Sequence, residues 1–256
     1  GAGDDNLDID WGYQGRLQYV LVQQDNNTGD HIVESDNTKS DGTVGVVWLT
    51  EPRSNPVVSN FTFISRGHDE IFKLKEGVSG QYYNGVAAVL NAATPTLTKG
   101  CIETTFTGTT IQDGASTPNF SMNSVAFDCP DATTSGNVTP DLVKIGEDST
   151  GIHAATIADV EAIVKAGANN LYAATSGGGT YANNLGKEFN SVPALVFSGN
   201  GVVVNGPTET AATVTAIPST YNADGFFDTT THIGAVSGAT DDWYKVWTVP
   251  GSIKLN

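Results

Sequence analysis

The chain is poor in what a helical bundle or a nucleic-acid-binding domain requires. It holds one Met, and 12 Lys and Arg against 28 Asp and Glu, for a formal net charge of −16 over 256 residues. Such a surface repels nucleic acid and anionic lipid, so neither is expected as a partner. No run of about 18 apolar residues occurs, so no membrane-spanning helix is expected. The two cysteines, Cys101 and Cys129, have no neighbouring His and are too few for a structural zinc site. The "GGG" of 174–184 is not followed by Lys-Ser/Thr, which removes a phosphate loop. None of the four His (His31, His68, His153, His232) sits in a local signature of a nucleophilic triad. The sequence opens at Gly1 with neither Met nor an apolar leader, and reads as a processed or trimmed form of an exported protein. In that setting a Cys101–Cys129 disulfide is expected, contributing roughly 3.5 kcal/mol by chain entropy.

What is abundant is Gly, Asn, Thr and Ser, in a chain that is 39% hydrophobic. That composition favours short strands and many turns. The strands repeat. "DDNLDIDWGYQGRLQYVLV" (4–22) aligns without a gap over "DEIFKLKEGVSGQYYNGVA" (69–87), and "DHIVESDN" (30–37) fits between them. Asp4, Asp30 and Asp69 then share one position, and Gly12 falls on Gly77. Leu7, Val33 and Phe72 form an apolar column; Ile9, Ser35 and Leu74 form the next apolar-side column. Between them lie the polar columns Asp8, Glu34, Lys73 and Asp10, Asp36, Lys75. This is period-two alternation held in register over three segments, each followed by a second strand: 16–24, 55–65 and 81–90. The expected fold is all-β, a right-handed parallel β-helix (solenoid) with loop insertions, one flanking helix and an aromatic C-terminal cap.

Stacking at about 4.8 Å places like on like. Asp8 over Glu34 would repel by about 3.5 kcal/mol at an effective dielectric of 20, offset in part by Lys73. Two readings stay open. Salt-bridged surface columns are one. A calcium ion held by Asp8, Asp10, Glu34 and Asp36 is the other, although calcium wants six to eight oxygens and this stretch lacks EF-hand order.

Coils are expected over about 3–129 and 194–206, with a loop and helix insertion over about 130–193. The helix is "TIADVEAIVKAGANN" (156–170), with Ile157, Val160, Ile163 and Val164 on one face and Gly167 as its stop. The tail at about 225–251 is aromatic. It is expected to cap the last coil; Trp243, Tyr244 and Trp247 as a sugar-stacking platform is the alternative.

"GYQGRLQYVLVQ", "ESDN" with "PRSNPVVSNFTFI", "LKEGVSGQYYN" and "FFD…HIGAV…DDWYKVWT" resemble a family of bacterial exported proteins and lipoproteins. The resemblance covers most of 3–129 and 194–250 and implies a pectin-lyase-like β-helix, with further coils upstream. It implies an extracellular or cell-surface location and no particular reaction. Hydrolases of that class use Asp clusters with Gly-His-Gly and Arg-x-Lys elements. Here "DD" (4–5), "GHD" (67–69) and "KLK" (73–75) only echo them, and nothing singles out a lyase base among Arg16, Arg53, Arg66, Lys73 and Lys75, so the reading leans against catalysis and leaves it open. The expected role is structural, adhesive or assembly, with polysaccharide binding or degradation as the alternative. The partners expected are upstream coils or a second copy at the open N-terminal end.

Overall fold

The computed structural model describes residues 3–24, 29–37, 51–65, 69–89, 101–104, 120–128, 143–145, 157–173, 175–176, 179–180, 187–189, 195–198, 201–204, 213–237, 241 and 243–247. Short and long strands alternate along the chain: β1 (Leu7–Ile9), β2 (Arg16–Gln23), β3 (Val33–Ser35), β4 (Val57–Ser65), β5 (Phe72–Leu74), β6 (Gly80–Val89), β7 (Ile102–Thr104), β8 (Phe120–Asp128) and β9 (Val143–Ile145). Helix α1 (Ile157–Ala166) follows, then β10 (Leu171–Ala173), β11 (Thr175–Ser176), β12 (Gly179–Thr180), β13 (Lys187–Phe189), β14 (Leu195–Ser198) and β15 (Gly201–Val204). A short helix α2 (Ser219–Asn222) and a 3-10 turn (Trp243–Val246) close the order.

The odd strands β1-β3-β5-β7-β9 form one sheet, and β13-β10-β8-β6-β4-β2 form the other; within each, the pairings among the described residues are parallel. Each circuit of chain through β8 therefore adds one strand to each sheet. The register is the one the repeat implies: Leu7, Val33, Phe72 and Ile102 pair in turn, and so do Asp8, Glu34, Lys73 and Glu103. The turns stack as well. Trp11 and Gly12 (φ 50° and 81°) repeat in Glu76 and Gly77 (φ 53° and 76°). A side chain at Gly12 would meet the Pro52 carbonyl at 2.6 Å, so glycine is required there.

The core lies between the sheets. Val33, Phe72, Leu74 and Ile102 face Val58, Phe61, Phe63, Tyr82, Met122, Val125 and Phe127, all buried. Along the long strands the inward positions do not keep period two. In β4 they are Val58, then Phe61 and Phe63. The cause is Asn60, whose φ of 50° bends the strand. Tyr19, Asn84, Ser124 and Asn169 take the same left-handed conformation (φ 58°, 53°, 54° and 58°). The pairings Gln18↔Ser59, Ser59↔Tyr83 and Tyr83↔Asn123 put Tyr19, Asn60, Asn84 and Ser124 in one column. The second sheet is thus creased along a line of polar residues, two of them Asn, that tolerate positive φ or hydrogen-bond locally.

Helix α1 lies where its apolar face predicts: Val160 and Val164 are buried and Ile163 packs on the same core. A Cβ at Gly167 would overlap the Met122 carbonyl at 1.8 Å, so glycine is what lets the helix end approach β8. Asn170 fastens it, donating to Met122 O and Val164 O (2.8 Å each) and accepting from Val125 N (2.9 Å).

Three expectations are corrected. Within 130–193, β9, β10 and β13 join the parallel sheets, because Val143-Lys144-Ile145 continues the Ile102-Glu103-Thr104 register and Leu171 pairs with Ala126. The described strands of 194–206 do not continue the coils: β14 and β15 pair antiparallel with each other in a two-stranded sheet. Among the described residues, the C-terminal segment lies along the second sheet rather than across an end of the stack. Residues 213–237 run as a strap over the outside of the second sheet, because that crease offers polar partners. Thr213 O accepts from Ser124 (2.6 Å), Thr215 exchanges two bonds with Asn84 (2.8 and 3.0 Å), and Asn60 donates to His232 O (3.0 Å). Apolar contacts follow the same line: Phe227 on Val57 and Tyr83, then Ala235, Val236 and Tyr244 on Leu21. Cys101 is buried at the head of β7; Cys129, which follows β8, lies outside the described residues.

Candidate functional site

The residues just before β1, β3 and β5 are Asp-Asp, Asp-His and Asp-Glu. The ladder continues through them: Asp30 N donates to Asp4 O (3.3 Å), Leu7 N to Ile32 O (2.8 Å) and Val33 N to Ile71 O (2.8 Å). Asp4, Asp30 and Asp69 therefore stack as the repeat implies, and Asp5, His31 and Glu70 stack beside them.

His31 is the centre of this cluster and is 2% exposed. Its Nδ1 lies 3.4 Å from both Asp5 Oδ1 and Asp30 Oδ1. Its Nε2 lies 3.3 Å from Asp69 Oδ1, 3.6 Å from Glu70 Oε2 and 3.8 Å from Glu103 Oε2. Neither ring nitrogen makes a hydrogen bond. Burial alone would lower the imidazole's pKa, but Asp69, Glu103 and Glu70 overrule it and raise it to about 11. Burial pushes Asp5 up to about 7, aided by Glu34. Burial likewise takes Glu70 to about 7, and raises Asp30 beside Asp69. Glu34 goes the other way: burial would raise it, but Asp5 and Lys75 hold it down at about 2. Asp5 and Glu34 thus push each other's pKa in opposite directions. Two sets of donor atoms here lie within 4.8 Å of one another: Asp5, Asp30, His31, Glu34 and His31, Asp69, Glu70, Glu103. The chemistry open to such a site is holding a proton or a cation.

The quartet expected to bind calcium is not brought together. Asp8 is exposed, and Asp10 accepts from Trp11 N (2.7 Å). Glu34 and Asp36 share the Lys75 ammonium, in contact with Glu34 and 3.4 Å from Asp36. Lys75 therefore supplies the positive charge that calcium would have brought. Asp36 is still costly. Burial raises its pKa to about 7 against the pull of Lys75. Its contribution to stability is present below the unfolded value near pH 4 and is lost as pH rises through 7. Asp36→Asn is expected to raise stability at pH 8 by on the order of 2 kcal/mol and to leave it unchanged at pH 4. Urea titrations at the two pH values check this, and an unchanged midpoint at pH 8 would refute it.

The aromatic trio is also split. Tyr244 is 3% exposed and turned onto Leu21; Trp243 meets it edge-on at 86° and donates to Ala235 O (3.0 Å). Trp247 is open, at 82%. These rings make no common platform. Arg16 is pinned bidentately by Asp224 (2.5 and 2.7 Å) and lies 4.6 Å over Phe226, while Arg53 is buried and donates to Gly77 O (2.7 Å). Arg66 and His68 lie outside the described residues.

His31 and Glu70 were the residues sequence reasoning missed. The signal was present one column to the right of Asp4, Asp30 and Asp69, in the same alignment. A single His among acids carries no spacing motif, so the column alone does not mark a site.

No helix among the described residues is long and apolar enough to cross a membrane. No curated protein and no solved structure matches the chain. The profile of the pectate-lyase-like β-helix domain matches residues 1–173, which the alternating parallel sheets and stacked registers bear out, and the chain belongs to that family.

Proposed function

We propose that the protein is an exported surface module with a structural or assembly role, its two sheets being walls of one right-handed solenoid that continues beyond β1 and β2. A β-helix domain of this family fits a structural or a polysaccharide-related role. The observation that carries the structural reading is the state of the first circuit. β1 and β2 are edge strands of their sheets. Leu17, Val20 and Val22 of β2 are only half-buried, whereas their ladder partners Val58, Phe61 and Phe63 are fully buried. Such an edge is a template for another strand. Further β-helix, from an upstream part of a longer chain or from a second copy, would bury those side chains. The strap supports the same reading, since it occupies outer wall that a cleft would need. A Cys101–Cys129 disulfide belongs to this proposal, as expected outside the cytosol.

This chain is expected to self-associate as its concentration rises, and Val22→Lys to weaken association at least tenfold with little change in melting. Sedimentation equilibrium reads this, and a monomer at every concentration would defeat the proposal. Polysaccharide binding is the second reading. One feature favours it: an open groove of about 520 Å³ lined by Gln14, Arg16, Asn55, Tyr221 and Asp224, within the size range of small-molecule sites. Release of unsaturated products from polyuronates, or saturable oligosaccharide binding lost in Arg16→Ala, would favour that reading instead.

A further inference from the structure

We propose that His31, Asp69, Glu70 and Glu103 form a four-donor site for a transition-type divalent cation, with zinc preferred over calcium. An acidic cluster alone would not carry this. The independent observation is His31 itself, 98% buried by its 2% exposure, with neither ring nitrogen hydrogen-bonded and both aimed at carboxylates. Buried polar atoms are nearly always satisfied, and leaving one unsatisfied costs about 1–3 kcal/mol.

The distances point the same way. The Nε2 gaps of 3.3, 3.6 and 3.8 Å to Asp69, Glu70 and Glu103 are longer than good hydrogen bonds. Four ligands placed tetrahedrally at about 2.0–2.1 Å from zinc stand about 3.3–3.4 Å from one another. The gaps are therefore close to those between ligands that share an ion. The other face of the ring fits too. Asp5 and Asp30 carboxylates, each 3.4 Å from Nδ1, stand where a metal-bound imidazole places the group that orients it.

Donor chemistry selects the ion. The imidazole nitrogen favours zinc and its neighbours, the three carboxylates alone would serve manganese or calcium as well, and calcium asks for six to eight oxygens. The scaffold is rigid where it matters: the donors come from three successive circuits, tied by Val33 N to Ile71 O (2.8 Å) and Phe72 N to Cys101 O (2.9 Å). An ion there would staple those circuits and offset the negative charge they gather.

The test uses the full chain, stripped with EDTA and titrated with zinc, manganese or calcium by calorimetry, with cobalt(II) as a spectroscopic probe. One zinc per chain is expected, with at least tenfold weaker calcium binding and the visible absorption of four-coordinate cobalt. His31→Asn is expected to lower zinc affinity at least 100-fold. Glu103→Gln, a milder change should His31→Asn fail to fold, is expected to lower it at least tenfold, and the control Asp8→Asn to leave it unchanged. No zinc uptake, calcium binding as tight as zinc, or equal affinity in Glu103→Gln would each overturn the proposal.

Discussion

Phe61→Ala is expected to lower stability by about 3–5 kcal/mol, and Gly85→Ala by about 3 kcal/mol, with the two effects strongly coupled. Phe61 is fully buried, stacked 4.6 Å from Phe63 and edge-on to Phe72 and Tyr82 at 6.1 and 6.2 Å. Its ring lies over Gly85 of the next circuit. A Cβ at Gly85 would stand 2.0 Å from the ring tip and 2.3 Å from its two neighbouring carbons. The three surrounding rings leave Phe61 nowhere to go, so alanine at 85 overpacks the core. Shortening the ring should relieve that. Phe61→Leu combined with Gly85→Ala is expected to cost less than the sum of the single changes, by roughly 1–3 kcal/mol. Urea unfolding of the four proteins measures the coupling; strict additivity would show that the ring does not occupy the space Gly85 leaves.

Asn60→Ala is expected to cost about 3–4 kcal/mol and to loosen residues 213–237. Asn60 is fully buried. It holds the strap by donating to Thr230 Oγ1 (3.1 Å), His232 O (3.0 Å) and Gly234 O (3.4 Å), and its Oδ1 accepts from Gln18 Nε2 (3.1 Å). Alanine would remove these bonds and leave polar groups unsatisfied, at about 1–3 kcal/mol for each one buried. It would also sit at φ 50° without the local hydrogen bonding that eases the left-handed region, for about 1 kcal/mol more. Asn60→Gly separates the two effects, since it relieves only the backbone. Hydrogen exchange should show faster strap amides in both variants and a smaller stability loss in Asn60→Gly. Unchanged strap exchange in Asn60→Ala would show that the strap is held elsewhere.

Much of the fold was legible in the residues. Short strands of period two, read in register, put Leu7, Val33 and Phe72 in one column, and the ladder pairs them so. Gly12 and Gly77 share a turn because their two repeats align without a gap. Helix α1 followed from its apolar face. Of the two readings of the polar columns, the salt-bridged one is visible in the structure, since Lys75 of the Asp10, Asp36, Lys75 column contacts Glu34 and Asp36. Lys75 comes from a different circuit and its reach depends on the stack.

By itself the sequence determined which residues lie above which, because backbone pairing between successive circuits is local in register and a one-residue slip would turn every core side chain outward. Only the tertiary structure decided which columns meet across a corner. The left-handed crease at Asn60 shifts the inward phase, draws the strap across the outer wall, and does so through contacts about 170 residues apart in the chain. His31 reaches its five carboxylates in the same way, by the stacking of four circuits, which no single stretch of sequence contains.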